Sequence, residues 1–309
     1  MRGGSRGGVR VLAMAMALGV VACGGGGGGS NPGEHLPDPP PAAEAQVFGL
    51  TGPEGLTFDS NGTLYVGSTS GRITRITSDG FSSVFAETGR SLAGLATGPQ
   101  NEIFAAAFTT GEVLAIAQDG VMRVATSGLD GPNGIVFDRF QRPLVSAIGL
   151  AGQPQIALIM PDTTYQTLSV QVRSPNGMAF GPDGMLYVAD TFMNRVVRMS
   201  QSDQGELTAP EVYASGLGVA DGIAFDQRGD LFVASAGQVW VVLPDEAPSA
   251  QPFITTGALD GPASLAFGFG SNRDRSVLWF TNYGLPVLGS GSTVASARVG
   301  ISGQPLYAP

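Results

Sequence analysis

A sixfold repeat is the feature that most constrains the fold of this 309-residue chain. Each repeat centres on a short segment with a small residue in its middle, and these small residues are 39 to 45 positions apart. A polar turn, a second apolar run and two alternating stretches complete each repeat. The six central segments are residues 53–58, 92–97, 132–137, 175–180, 220–225 and 262–267. Four short strands per repeat are typical of a β-propeller blade.

The repeats predict an all-β fold, a six-bladed β-propeller with four antiparallel strands per blade, over residues 45–309. Helical periodicity is absent from the repeats, which argues against helical repeats of similar length. Residues 45–50 resemble the outer strands, so we expect this N-terminal strand to complete the last blade and close the ring. A recurrent Phe is expected to pack between neighbouring blades, at Phe58, Phe137, Phe180, Phe225 and Phe267.

The N-terminus predicts a lipoprotein signal peptide over residues 1–22. Three Arg residues precede a twelve-residue apolar stretch, which is too short to span a membrane. This stretch ends in Val-Val-Ala-Cys, which resembles the bacterial lipobox and implies lipidation of Cys23. An ordinary signal peptide with a chance Cys is the alternative. We expect an exported monomer, held by its lipid on a bacterial membrane and facing the periplasm or cell exterior.

A Gly- and Pro-rich stretch over residues 23–44 predicts a tether between the anchor and the propeller. The chain's single His, His35, lies in this stretch and is predicted to have no role. Without residues 1–22 the chain keeps 13 Arg against 25 acidic residues, a net charge of 13 − 25 = −12. So acidic a domain is unsuited to nucleic acid, whose binding depends on cationic contacts.

The chain has one Cys, one His and no Lys, and both the Cys and the His precede the repeats. The repeats therefore exclude Ser-His-Asp and Cys-His nucleophiles, a P-loop, and a zinc site built from His and Cys. Any chemistry must depend on carboxylates, amides, hydroxyls, Arg or a hard metal ion.

One column of the repeat carries the candidate chemistry. The six residues that each precede a central small residue are expected to surround the mouth of the propeller channel. In blade order these residues are Glu54, Ala93, Asn133, Asn176, Asp221 and Ala263. Two carboxylates and two amides form a set of oxygen ligands suited to one divalent cation, with Ca²⁺ favoured and Mg²⁺, Mn²⁺ or Zn²⁺ possible alternatives. The other interpretation is that Asn-Gly and Asp-Gly are ordinary turn dipeptides.

With this column, the sequence resembles the gluconolactonase/regucalcin (senescence marker protein) family, with paraoxonase and diisopropyl fluorophosphatase as more distant relatives. The resemblance implies that Glu54, Asn133, Asn176 and Asp221 hold one metal, usually calcium. It implies hydrolysis of lactones or related esters, with Asp221 as the candidate general base as well as a ligand.

The repeats depart from the relatives in two places. Paraoxonases and the related phosphatases place a His in the channel, and these repeats contain none. Sugar lactonases place an Arg two residues before the blade-three Asn, where this chain has Gly131. A smaller or more apolar lactone is therefore at least as suitable as a sugar lactone.

Blade four also resembles the NHL repeat of non-catalytic binding propellers, through residues 186–196. In that repeat an Asp and an Arg form a structural pair, here Asp190 and Arg195. A position for Asp190 behind the metal ligands is the alternative, and Asn282 is a further candidate to face the channel. Two functions follow: a metal-dependent hydrolase of a small-molecule lactone or ester, or a non-catalytic propeller that binds a ligand or protein on the same face.

Overall fold

The computed structural model describes residues 35–244, 247–284, 287 and 289–304. The predicted signal peptide, the lipidation site Cys23 and the first part of the tether lie outside the described residues. Within those residues, no helix is long and apolar enough to cross a bilayer.

The described strands confirm the six-bladed propeller, because they form six separate four-stranded antiparallel sheets. Strand β1 (Glu44–Val47) precedes the first complete blade. Blade one contains β2 (Pro53–Phe58), β3 (Leu64–Ser68), β4 (Arg72–Ile76) and β5 (Ser82–Glu87). Blade two contains β6 (Leu92–Thr97), β7 (Ile103–Ala107), β8 (Glu112–Ile116) and β9 (Met122–Thr126). Blade three contains β10 (Pro132–Phe137), β11 (Pro143–Ala147), β12 (Gln155–Ile159) and β13 (Tyr165–Ser169).

The second half of the ring repeats this order. Blade four contains β14 (Pro175–Phe180), β15 (Leu186–Asp190), β16 (Arg195–Met199) and β17 (Glu211–Ser215), with one 3₁₀ turn at Thr191–Met193. Blade five contains β18 (Ile223–Phe225), β19 (Leu231–Ser235), β20 (Gln238–Leu243) and β21 (Ser249–Ile254). Blade six contains β22 (Pro262–Phe267), β23 (Val277–Asn282) and β24 (Thr293–Arg298).

The ring is closed by the N-terminal strand, as predicted. Strand β1 pairs antiparallel with β24, so the last sheet has the order β1-β24-β23-β22. The first and last strands thus meet in one blade, and the otherwise free edge of β24 is hydrogen-bonded.

The hydrophobic core lies between successive blades, and the recurrent Phe residues occupy it as expected. Phe137 packs edge-on against Phe104 of the preceding blade, with ring centroids 5.1 Å apart. Phe225 packs in the same way against Tyr187 at 4.7 Å, and Phe58 against Trp279 across the closure at 5.9 Å. These perpendicular contacts are a favoured geometry for aromatic pairs.

Strand direction gives the propeller two distinct faces. The first strands of all blades run in the same direction, so the residues just before or at their starts lie on one face of the ring, which we call the mouth face. Loops that join the second strand to the third, or the fourth to the next blade, lie there as well. The turns that join the first strand to the second lie on the opposite face.

Candidate metal centre in the channel

The predicted ligand column lies in irregularities of the innermost strands. In blade three the pairing of β10 with β11 shifts between Pro132 and Ile135, so Asn133 lies within a bulge. The same kind of register shift occurs around Glu54 in β2 and around Asn176 in β14, so these two residues also lie within bulges. A bulge re-aims the side chain of its extra residue, which directs these residues toward the channel.

The Gly that follows each ligand position permits close contact between blades. A Cβ atom on Gly134 would lie 2.4 Å from the carbonyl oxygen of Asn176, and one on Gly177 would lie 2.4 Å from that of Asp221. Asn133-Gly134 and Asn176-Gly177 lie within strands β10 and β14 and not in turns, and their glycines serve a close approach without a positive φ. The glycines concerned are Gly55, Gly94, Gly134, Gly177 and Gly222.

The four predicted ligands line one central cavity with a volume of about 160 Å³. Glu54 and Asn133 are buried, whereas Asn176 and Asp221 are partly exposed. Among the described residues that line this cavity there is no Arg, Lys or His. The rest of the lining is mainly apolar, so the two carboxylates face each other without a protein cation.

Burial and mutual repulsion dominate the electrostatics of the cavity. Burial raises the pKa of Glu54 well above its ordinary value, and the nearby charge of Asp221 raises it further. Burial also raises the pKa of Asp221 to about 6, while a hydrogen bond with the Asn176 side chain partly offsets this rise. Glu54 Oε2 is buried and has no hydrogen-bond partner among the described residues. An uncompensated buried carboxylate needs a proton or a cation.

Two hydroxyl groups that the sequence reasoning missed support the ligand backbones. Ser146 Oγ donates to the carbonyl oxygen of Asn176 at 2.7 Å and accepts from the amide of Gly134 at 2.8 Å. On the other side of the ring, Thr281 Oγ1 donates to the carbonyl oxygen of Glu54 at 2.6 Å. Each hydroxyl therefore ties a second strand to the ligand residue of the next blade.

Tyr283 is a further residue that the sequence reasoning missed. It follows β23 on the mouth face, and the charges of Glu54 and Asp221 contribute, after burial, to raising its phenol pKa. Its signal in the sequence is weak, since Tyr283 lies outside the repeated column and nothing in its segment shows that it comes near Glu54 and Asp221.

Asp190 and Asn282, the two candidates outside the ligand column, bond to structural partners and do not line the channel cavity. Asp190 is fully buried, accepts hydrogen bonds from Ser174 and pairs with Arg195 Nη2 at 2.9 Å. This is the structural pair expected from the NHL resemblance. The channel-facing position expected for Asn282 is corrected: its amide donates to Ala258 O at 3.0 Å, and it does not line the described cavity.

The prediction that His35 has no role is also corrected. Its Nε2 lies 2.5 Å from Asp230 Oδ2, on the turn after β18. Leu36 packs against the core between blades five and six, and Ala43 pairs with the end of blade five. The segment that enters blade six is therefore in contact with the propeller from His35 onward.

Large apolar side chains are exposed on the loops of the mouth face. Phe192 is 77% exposed and Leu150 is 60% exposed, each on a loop of the mouth face. Further exposed apolar residues on this face are Phe48, Val170, Met193, Val219 and Val287. We call this set the apolar rim.

Comparison with known proteins agrees with this fold. Residues 146–281 match the family described as SMP-30/Gluconolactonase/LRE-like region, and residues 44–76 match the N-terminal region of strictosidine synthase-like proteins. The chain is similar to the SMP-30/gluconolactonase/regucalcin-like six-bladed propellers. No curated protein sequence matches it significantly.

Solved structures share the same fold at low identity. A gluconolactonase from Xanthomonas campestris has a TM-score of 0.70 and 20% identity, covering 84% of this chain and 95% of that chain. The calcium-binding regucalcin from Agrobacterium tumefaciens has a TM-score of 0.70 and 19% identity, covering 86% and 98%. A luciferin-regenerating enzyme has a TM-score of 0.71 and 18% identity, covering 85% and 97%.

Proposed function

We propose that the protein is a metal-dependent hydrolase of lactones or related esters, with its reaction centre in the cavity at the channel mouth. The observation that carries this proposal is the convergence of Glu54, Asn133, Asn176 and Asp221 on one cavity without a protein cation. A propeller that only binds a partner has no need of two uncompensated carboxylates on its axis.

The residues present fit a divalent metal ion. Glu54 Oε2 is a buried oxygen without a partner, and the repulsion between Glu54 and Asp221 would be relieved by a cation between them. Two carboxylates and two amide oxygens match the ligand chemistry of Ca²⁺, with water and substrate completing the shell. The similarity to a calcium-binding regucalcin supports the same choice.

A metal at this position would supply Lewis-acid polarisation of the substrate carbonyl and a more acidic bound water. The protein's own residues have separate tasks. Asp221 is partly exposed to the cavity, so it can accept a proton from a water molecule beside the scissile carbonyl. Asn176 donates to Asp221 and holds the carboxylate in place, while Ser146 fixes the backbone of Asn176.

The apolar rim supports a lactone or ester with an apolar substituent. Gly131 occupies the position of the substrate-binding Arg of sugar lactonases, and the exposed Phe192 and Leu150 lie on the same face. Such side chains bind hydrocarbon through burial of apolar surface and offer no charge to a sugar acid.

We also propose, from the sequence alone, that the mature protein is exported and anchored to a bacterial membrane through lipid on Cys23. The membrane is then a point of attachment, and the soluble lactone or ester is the partner that enters the cavity. Mass analysis of the N-terminal peptide after export tests the lipid directly.

The decisive experiment measures metal content and hydrolysis together. The purified protein should bind one Ca²⁺ at the channel and hydrolyse members of a panel of lactones and esters, with both properties lost in chelator. Glu54→Gln and Asp221→Asn should each lower Ca²⁺ affinity and activity by at least about tenfold, since loss of a ligand exceeds the effect of losing a residue behind it. Asp138→Asn, on the opposite face, is the matched control.

The outcomes separate the two functions left open by the sequence. A protein without bound metal that melts identically with and without chelator contradicts the hydrolase. Bound metal without turnover of any panel member would instead indicate a structural ion in a binding propeller.

A further inference from the structure

The turn between β18 and β19 in blade five contains two buried carboxylates. Asp226 and Asp230 are 0% and 1% exposed. Asp226 Oδ1 accepts hydrogen bonds from the amides of Arg228 and Asp230 at 2.8 and 3.0 Å, which closes the turn. Asp226 Oδ2 and Asp230 Oδ1 are buried and have no partner among the described residues.

The equivalent turn in blade three shows how such an Asp is normally satisfied. Asp138 Oδ1 accepts from the amides of Phe140 and Arg142, both at 2.9 Å. Its Oδ2 accepts from the Arg142 guanidinium, with Nε at 2.8 Å. The fifth residue of the turn therefore supplies the positive charge that the second carboxylate oxygen needs.

In blade one, the second carboxylate oxygen of the equivalent Asp has a phenol as its partner. Asp59 Oδ1 accepts from the amides of Asn61 and Thr63 at 2.9 and 2.8 Å. Its Oδ2 accepts from the phenol of Tyr65 at 3.3 Å. In blade five the fifth residue of the turn is Asp230, so a second negative charge stands where blade three has an Arg.

The chain's single His completes this cluster from outside the repeat. His35 Nε2 lies 2.5 Å from Asp230 Oδ2, and one ligand-capable atom from each of His35, Asp226 and Asp230 lies within 4.8 Å of the others. No described Arg forms a salt bridge with either carboxylate. A protonated His35 would cancel only one of the two charges and would leave Asp226 Oδ2 without a partner.

We propose that His35, Asp226 and Asp230 bind one divalent transition-metal ion, of which Zn²⁺ is the best match. One imidazole nitrogen and two carboxylate oxygens are ligands that Zn²⁺ accepts, and an imidazole ligand disfavours Ca²⁺ and Mg²⁺. Two carboxylates and a neutral imidazole balance the charge of the ion. Metal ligands must be deprotonated, so metal binding is expected to release protons.

This site is separate from the channel centre. Asp221 precedes β18 and Asp226 follows it, so the two sites are at opposite ends of one strand, roughly 17 Å apart at about 3.3 Å per residue. Burial and the charge of Asp230 raise the pKa of Asp226 to about 6, which is consistent with a missing counter-charge. A metal here would fasten the N-terminal segment to blade five on the opposite face.

The C-terminal segment reaches the same turn. Gln227 donates from its amide to Ser302 O at 2.9 Å, and Asp226 forms a bridge with Gly303. The proposed ion therefore lies where segments from both ends of the chain meet the ring. We expect it to stabilise the closed propeller by binding only the folded state.

The test uses the full chain, stripped of metal and titrated with Zn²⁺ and then with Co²⁺ as a spectroscopic probe. We expect one Zn²⁺ per chain at this site, proton release on binding, and a visible Co²⁺ spectrum of low symmetry. His35→Ala should weaken Zn²⁺ binding by at least about tenfold, because loss of a ligand costs no less than loss of a residue behind a ligand. Asp226→Asn should do the same, whereas Asp138→Asn, the same turn position in blade three, should not.

The design keeps the result independent of folding and of the proposed hydrolase. His35 precedes the ring, so His35→Ala should retain the propeller's circular dichroism even if Asp226→Asn does not fold. Glu54→Gln should leave this Zn²⁺ site intact while it removes the channel ion. No Zn²⁺ binding by the wild type, or unchanged affinity in His35→Ala, would overturn the proposal and identify the cluster as an ion pair only.

Discussion

The carboxylates of Glu54 and Asp221 repel each other across the channel, although they belong to blades one and five. Burial and this repulsion raise the pKa of Glu54, so the proton on Glu54 is held more tightly in the folded protein than in the unfolded chain. The pair is therefore a source of instability in the absence of a cation and a source of affinity in its presence.

The first prediction concerns the pH dependence of the metal-free protein. The pKa of Asp221 is raised from about 4 to about 6 in the fold, so the folded state binds the proton more tightly than the unfolded state. The loss of folding stability caused by the Asp221 charge is absent below about pH 4 and complete above about pH 6. In chelator, Asp221→Asn should therefore melt at least about 2 °C above wild type at neutral pH and equal to it in acid. A melting difference that does not change with pH would refute this.

The second prediction concerns the close approach of the blades. A Cβ on Gly177 would lie 2.4 Å from Asp221 O, which is backbone and cannot move aside. Gly177→Ala should lower the free energy of unfolding by about 1–3 kcal/mol, measured by denaturant titration. Ser264 holds the same column position in blade six and already has a side chain, so Ser264→Ala is the control and should cost less than about 1 kcal/mol. Equal losses in both variants would contradict the argument.

The third prediction separates positioning from folding at Ser146. Its hydroxyl donates to Asn176 O, and blades two and four carry Ala106 and Ala189 at the same place, so the fold tolerates Ala there. Ser146→Ala should weaken Ca²⁺ binding by about tenfold, within the range for residues behind a metal ligand, with little change in melting temperature. Ser68→Ala removes a buried hydroxyl that bonds Ser70 instead, and serves as the control. A melting loss without an affinity loss would assign Ser146 a purely structural role.

The repeat in the sequence was sufficient for the fold and for the ring of candidate ligands. Propeller symmetry brings equivalent positions of every blade to one axis, so Glu54 and Asp221 could be placed in one cavity without knowledge of side-chain contacts. The closing role of β1 followed from its likeness to the outer strands. These predictions succeeded because they depend on periodicity, which is a property of the whole chain.

The parts that could not be predicted depend on contacts between blades. A bulge and a turn are both compatible with Asn-Gly, and only the distance from Gly134 to Asn176 O decides between them. The contact of His35 with Asp230 could not be predicted, because nothing in a Pro-rich segment shows which turn it will contact. The available signal was in blade five, where Asp230 replaces the Arg142 of blade three.

The fourth prediction tests the structural role of Asp190. This carboxylate is fully buried, bonds Ser174 and pairs with Arg195, which is itself 24% exposed. Asp190→Asn should lower the unfolding free energy by about 1–3 kcal/mol and leave Ca²⁺ stoichiometry unchanged. Asp274→Asn breaks the exposed pair with Arg298 and should cost less than about 1 kcal/mol. Loss of Ca²⁺ with intact stability would instead place Asp190 behind the metal ligands.

The last prediction concerns the apolar rim, and it depends on the proposed hydrolase. Phe192 is 77% exposed on the mouth face, whereas Phe81 is 67% exposed on the opposite face, so the two residues differ mainly in location. If the rim binds the apolar part of a substrate, Phe192→Ser should raise KM for a long-chain lactone about three- to tenfold, as expected for partial loss of a buried side-chain contact. KM for a short lactone, and kcat for both, should change little.

Phe81→Ser should leave both substrates unaffected, because its side chain lies away from the channel mouth. Equal effects of the two variants would show that the rim does not select the substrate. A uniform loss of kcat in Phe192→Ser would place that residue in the reaction centre itself, because an interaction with a distant apolar chain contributes to binding and not to the chemical step.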